Sequence, residues 1–333
     1  MKGGANNFEG PMKPTAHPAS HTPSARFDEI AFTARDGLRL YARHYRATTS
    51  TLRPVVCLAG ITRNSRDFHV IASAISTDPV RPRPVYTIDT RGRGKSAHDP
   101  DWKHYIVPIE MLDVIDFLTL RSLSDVALIG TSRGGIISMV MAAAQPSAIG
   151  CVVLNDIGPV VEMDGLSRIA GYIGRVPHPH SWADAGRIVR DMNEKQFTRV
   201  SDAEWVEIAR QFFNEVDGKP SPGYDPQLSH SLSVLDGPMP PMWNQFEAMK
   251  RVPVMVLRGE NSDILSAATV EEMARRHPRQ TAHTLRRDGH APFLRDPHTI
   301  DEVKKFLTAS DATSTAVRSR PAQSALPGQG SVG

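Results

Sequence analysis

Several things are scarce in this sequence, and each scarcity excludes something. Cysteine occurs twice in 333 residues, as Cys57 and Cys151. Two cysteines make no disulfide framework, and both sit in apolar, strand-like surroundings that suit reduced core thiols. No run approaches the ~18 apolar residues of a membrane span. Lys2 is followed by no apolar stretch of the kind that marks a secretory leader. These absences predict a cytoplasmic location. Net charge is only +3, and the basic residues are scattered, so no nucleic-acid partner is expected. No internal repeat is present.

The composition is otherwise that of a globular protein, with 40% hydrophobic and 23% charged residues. The length suits one large α/β domain with an insertion. Residues 1–25 are rich in Pro, His, Gly, Ser and Thr, and 309–333 in Ser, Ala, Pro and Gly. Neither can bury enough apolar surface to offset its ordering entropy, so both are expected to be disordered tails. Glu29–Thr33 and Leu38–Tyr45 flank Arg35-Asp36-Gly37 and predict an antiparallel hairpin. Apolar runs at Pro54–Ala59, Val85–Asp89, Val126–Ile129, Gly150–Leu154, Val252–Leu257 and Thr281–Leu285 predict buried strands. Helical patterns stand between them, at Ser65–Ser76, Tyr105–Leu120, Ile136–Ala144, Ser266–Arg276 and Pro297–Leu307. The expected architecture is a mostly parallel twisted sheet flanked by helices.

One stretch organises the rest. Val126–Ile129 runs into Gly130-Thr131-Ser132-Arg133-Gly134, and an apolar helix follows. Strand, Gly-x-Ser-x-Gly and helix in succession are the setting of a nucleophile elbow. The turn is so tight that side chains two positions either side of Ser132 would collide, and Gly130 and Gly134 remove them. Ser132 Oγ is then expected above the strand ends, facing amides at the helix N-terminus.

This arrangement resembles the α/β-hydrolase family. In that family the elbow is followed by an acid and then a histidine. Asp263 lies in the loop after Val252–Leu257, the family's usual acid position, and His290 lies just beyond Thr281–Leu285. Asp156, after the preceding strand, is the alternative acid, and Glu260 a more distant one. The resemblance implies that Ser132 attacks a carbonyl, that His290 moves the proton and that Asp263 orients the imidazole. It implies an oxyanion hole made by the backbone amides of Ile61 and Arg133. Ala59 stands where a His usually precedes the Gly of that loop, which leaves the donor amide in place but alters the loop. The resemblance also places the hydrolase core in 26–158 and 250–308, with a helical cap in 159–249, where the strand–helix alternation lapses. Arg168–Gly174, Trp182–Met192 and Asp202–Val216 read as cap helices, the last preceded by the capping box Ser201–Glu204.

Arg91-Gly-Arg-Gly-Lys-Ser96 mimics a phosphate-binding loop, but that motif needs a Gly at 89, where Asp stands. Asp89 and Arg91 instead match a structural loop of the same family. Arg133 is pinned beside the nucleophile. It either pairs with a structural carboxylate or contacts a substrate carboxylate. Together these features predict a serine hydrolase needing no cofactor and no metal, which cleaves a small-molecule ester or lactone through an acyl-enzyme. Carbon–carbon bond hydrolysis of a diketone or ring-fission product is an alternative. A slow-turnover ligand receptor of the same fold is another, from a different class. The oligomeric state is not legible.

Overall fold

A computed structural model describes residues 25–47, 50–233 and 239–318, without the side chains of 232–233 and 313–318. The expected tail at 1–25 lies outside the described residues except for Ala25.

The chain opens with the hairpin β1 (Asp28–Thr33) and β2 (Arg39–Tyr45), close to its expected bounds. Then strands and helices alternate: β3 (Val55–Leu58), α1 (His69–Ser76), β4 (Val85–Asp89), α2 (Val107–Leu120), β5 (Val126–Thr131), α3 (Arg133–Ala144) and β6 (Ile149–Asn155). An insert follows, with α4 (Met163–Tyr172), α5 (Trp182–Asn193), α6 (Asp202–Phe212), the strands β7 (Asn214–Val216) and β8 (Lys219–Ser221), and α7 (His230–Ser233). The chain returns through α8 (Trp243–Ala248), β9 (Val254–Gly259), α9 (Ala267–Arg276), β10 (Gln280–Leu285) and α10 (Pro297–Arg318).

Eight strands form one sheet in the order β1-β2-β4-β3-β5-β6-β9-β10. The β1–β2 and β2–β4 pairs are antiparallel, and every later pair is parallel. The central strands β3, β4 and β6 are buried at every position, as continuous apolar runs between two helical layers require. The sheet separates two cores. Leu58, Leu128 and Leu154 face one with α2, α3 and α8, and Cys57, Ile129 and Val153 face the other with α1 and α10. The twist of such a sheet brings the carboxyl ends of β5, β6 and β9 together, where ligands bind in open α/β sheets.

Two expectations are corrected. The predicted helix over 202–216 stops at Phe212, and Asn214–Val216 pairs back onto Lys219–Ser221. Asp217 and Gly218 carry φ of 50° and 74°, so this Asp-Gly step is a hairpin turn that demands positive φ at both residues. At the end of the expected cap the chain packs on the sheet domain. Phe246 and Met249 are buried in the main core beside α3. Finally, α10 continues past residue 308 to Arg318. Ser310 is buried, and Asp311 faces Arg53, Arg81 and Arg83 at 3.7, 3.0 and 2.8 Å.

Candidate active site

Ser132 sits between β5 and α3 at φ 51°, ψ −117°. Such a backbone is costly for a residue with a Cβ and persists only where its surroundings impose it. They do so here through the two glycines. A Cβ on Gly134 would lie 2.1 Å from the Leu58 carbonyl oxygen of β3, and one on Gly130 would lie 2.5 Å from the Gly134 oxygen. The Ser132 amide donates to the Asn155 carbonyl at 3.0 Å, which locks the turn to β6.

His290 lies in the loop between β10 and α10 and stands between two polar side chains. Its Nε2 stands 2.9 Å from Ser132 Oγ, and its Nδ1 stands 2.8 Å from Asp156 Oδ2. A carboxylate only accepts, so the neutral imidazole carries its hydrogen on Nδ1 and turns a lone pair on Nε2 toward the hydroxyl. The loop is tied down on both sides. Asn155 Nδ2 donates to the Pro292 carbonyl at 2.9 Å, and the His290 amide donates to Gln196 Oε1 at 3.1 Å.

The carboxylate beside His290 is therefore Asp156, and the expectation for Asp263 is corrected. Asp156 follows β6, the strand next to the nucleophile's own. It is fully buried and adopts φ 55°, a left-handed conformation that Asp tolerates. Gly259 N–H donates to its Oδ1 at 2.8 Å, and the Ser262 hydroxyl donates to Oδ2 at 2.6 Å. Together with His290 Nδ1, these donors put one hydrogen bond on Oδ1 and two on Oδ2, which holds the carboxylate in place beside the imidazole. Asp263 turns instead to the insert. Arg168 of α4 grips it with two bonds, Nε to Oδ2 at 2.6 Å and Nη2 to Oδ1 at 2.9 Å. Burial pushes the Asp263 carboxyl up, but Arg168 and Gln196 more than offset this and hold it below the usual carboxylate range.

The Arg133 side chain is also accounted for. Its Nε donates to Glu110 Oε2 at 2.5 Å and its Nη2 to the Tyr105 carbonyl at 2.7 Å. The guanidinium points into α2, so the idea of a substrate carboxylate on Arg133 is set aside in favour of the structural carboxylate. Its backbone amide opens α3 and has no carbonyl a turn behind it within the helix. Across the cleft, a Cβ placed on Gly60 would lie 3.6 Å from Ser132 Cβ. The Gly60–Ile61 loop thus hangs directly beside the nucleophile, where the Ile61 amide is wanted.

A cleft of about 670 Å³ opens over Ser132 and His290. Gly60, Ile61 and Pro292 line it from the sheet side, and Tyr172, Asn193 and Phe212 from the insert. A second cavity of about 610 Å³, lined by Val176, Met192, Tyr224 and others, shares the wall residues Thr62, Tyr172 and Phe212 with the first. Both are mostly apolar, the usual character of small-molecule sites.

Sequence reasoning missed Ser262, Gln196 and Glu110. Ser262 stood next to the favoured acid and could have been weighed as a partner for Asp156. Gln196 and Glu110 carry no local signal, since each acts on a loop about a hundred or fewer residues away that only folding brings near.

A sheet with this strand order, an elbow serine and a histidine at the carboxyl ends define an α/β-hydrolase, and the chain belongs to that family. Residues 55–303 match the Alpha/beta hydrolase family. A 3-hydroxybutyrate-oligomer hydrolase of Cupriavidus necator is 30% identical, over 86% of this chain and 99% of its own length. An sn-1-specific diacylglycerol lipase of Mus musculus is 27% identical, over 78% of this chain and 82% of its own. Among solved structures, an alpha/beta hydrolase from Novosphingobium aromaticivorans superposes with a TM-score of 0.79 at 35% identity, covering 85% of this chain and 99% of that one. No helix among the described residues is long and apolar enough to cross a membrane.

Proposed function

We propose that this hydrolase cleaves carboxylic esters of small molecules through an acyl-enzyme on Ser132. The observation that carries the reading is the imidazole of His290, held between Ser132 Oγ at 2.9 Å and Asp156 Oδ2 at 2.8 Å. In this reading Nε2 takes the serine proton as Oγ attacks the carbonyl carbon, and the tetrahedral intermediate forms. The imidazolium then returns the proton to the departing alkoxide. Asp156 stays ionised and stabilises the imidazolium throughout. The amides of Ile61 and Arg133 serve the developing oxyanion, each contributing on the order of 3 kcal/mol. A water activated by the same imidazole releases the acid. No cofactor or metal takes part in this scheme.

The two cavities, which share Thr62, Tyr172 and Phe212 in their walls, suit an ester with a substantial group on each side of the scissile bond. Together with the likeness to the Cupriavidus enzyme, this favours short oligoesters of hydroxyalkanoic acids. In such a substrate one unit becomes the acyl group and the next leaves as the alcohol. The experiment is hydrolysis of dimers and trimers of 3-hydroxybutyrate alongside p-nitrophenyl acetate, with Ser132→Ala as the control. Turnover of the oligomers that vanishes in Ser132→Ala supports the proposal. Turnover of neither substrate, or turnover that survives the substitution, rejects it.

A further inference from the structure

Behind the nucleophile lies a chain of buried charge that the reaction scheme does not use directly. Glu110 of α2 is fully buried and bridges two arginines. Its Oε1 accepts from Arg93 Nη1 at 2.6 Å, and its Oε2 accepts from Arg133 Nε at 2.5 Å. Burial alone would push this carboxyl up, but Arg133 and Arg93 together outweigh burial and leave it below the usual range. Glu110 is thus an anion shared by two cations.

What the two arginines hold beyond Glu110 gives the arrangement its meaning. Arg93 Nε donates to the Ile61 carbonyl at 2.7 Å, and Arg93 Nη1 also donates to the Arg91 carbonyl at 2.6 Å. Arg133 Nη2 donates to the Tyr105 carbonyl at 2.7 Å. Ile61 and Arg133 are the two residues whose amides the proposed reaction assigns to the oxyanion. They come from different loops, one after β3 and one after β5, and no covalent link sets the distance between them. We infer that Glu110 is a positioning residue that fixes the two halves of the oxyanion hole relative to each other, through Arg93 on the Ile61 side and directly on the Arg133 side.

The physical argument concerns tolerance. An oxyanion hole works only if its donors are already aimed when charge develops, so that nothing reorganises during the reaction. The Ile61 loop begins at Gly60 and is closed by Arg63 N–H donating to the Gly60 carbonyl at 3.0 Å, and Arg93 adds the tie at the Ile61 carbonyl that leads toward Arg133. Glu110 and Arg93 are fully buried and the Arg133 side chain is 13% exposed, so these salt links are screened little by solvent. A buried carboxylate held by two guanidiniums therefore supplies a stiff, directional connection between loops. This inference rests on the serine-hydrolase reading above.

The test compares Arg133→Met with Arg133→Lys and the wild-type protein. Arg133→Met keeps the backbone amide and cuts the link, while Glu110 remains paired with Arg93, so no buried charge is stranded. Misplacing one donor by a fraction of an ångström is expected to lower kcat by about 10- to 100-fold, with KM changed by less than about threefold because the ground-state carbonyl depends little on the hole. Inhibition by phenylboronic acid, whose tetrahedral adduct mimics the intermediate, is expected to weaken by the same factor as kcat/KM. Arg133→Lys, which keeps a cation within reach of Glu110, is expected to recover most of the loss. If Arg133→Met does not fold, Arg133→Gln, which keeps a polar side chain but no cation for Glu110, is read for the same parallel fall in kcat and boronate affinity. A lower Tm with unchanged kcat and unchanged boronate affinity overturns the inference and makes the cluster a structural brace only. Ser132→Ala is run in parallel: if it retains turnover, the serine reading fails; if it is inactive while the Arg133 variants match wild type in kcat, only the positioning role fails.

Discussion

Asp156 and Asp263 both leave the carboxyl end of a parallel strand, and what separates them is the partner each finds. Asp156 meets His290, Ser262 and the Gly259 amide. Asp263 meets Arg168. Asp156→Asn is therefore expected to lower kcat by several orders of magnitude, on the order of 10⁴ as in the serine-protease triad. Asp263→Asn is expected to lower it by less than about tenfold, and steady-state kinetics on one ester compares the two. Asp263 contributes elsewhere. Its folded-state carboxyl titrates below its ordinary range, so its pairing stabilises the fold above the unfolded pKa and is lost as pH falls through the folded one. Tm measured from neutral to acid pH is expected to fall less steeply in Asp263→Asn than in wild type over that interval. A sequence shows both acids after strands but not Arg168, which lies 95 residues from Asp263 and decides between them. Ser132 and His290 were legible because each sits in a local pattern, the glycine-flanked turn and the Gly-His-Ala-Pro loop. The Arg133 partner was legible as a type, a carboxylate, but not as Glu110.

At the scale of elements, the strands between the helices were readable because burial on both faces leaves no polar position to obscure the run. The insert was less so. Its helices are half exposed, and α6 gives way to a hairpin at a turn whose Asp217-Gly218 signal was passed over. The end of α10 shows another limit. Composition marked residues after 308 as unable to pack, yet one residue, Asp311, collects three arginines from the other end of the core. Arg53 also pairs with Asp125 at 3.4 Å, but Arg83 is 2% exposed and pairs with Asp311 at 2.8 Å, so removing Asp311 leaves the Arg83 cation with little water to turn to. Asp311→Asn is expected to destabilise the fold by about 3 kcal/mol, read as a Tm lower by several degrees in thermal unfolding, with kcat/KM unchanged. Ser201→Ala, which removes the capping box of α6, is expected to cost about 1 kcal/mol by the same measurement.

For the whole molecule, the proposed reading puts the reacting groups on the sheet, while the insert adds Tyr172, Asn193 and Phe212 to the cleft wall. The insert has a core of its own, with Val189, Phe197, Trp205 and Phe213 packed together. It meets the loops around His290 and Asp263 through Gln196 on His290, Arg199 on Asp288, Arg168 on Asp263 and Phe197 stacked on Phe293. Such a layout lets the chemistry stay fixed while the cavity varies. Met192 lines the second cavity but not the first. Met192→Phe is therefore expected to lower kcat/KM for a trimeric ester at least about fivefold, a pocket effect near 1 kcal/mol, while sparing p-nitrophenyl acetate. Equal losses on both substrates would remove the second cavity from the substrate path. The central claim is the acyl-enzyme on Ser132, and rapid-quench mass spectrometry during turnover of p-nitrophenyl acetate tests it most directly. The account predicts an acetyl group on the peptide containing Ser132, formed in a burst with p-nitrophenol and absent from Ser132→Ala. Acetylation at another residue, or full turnover with no covalent intermediate under conditions where deacylation is slow, would contradict it.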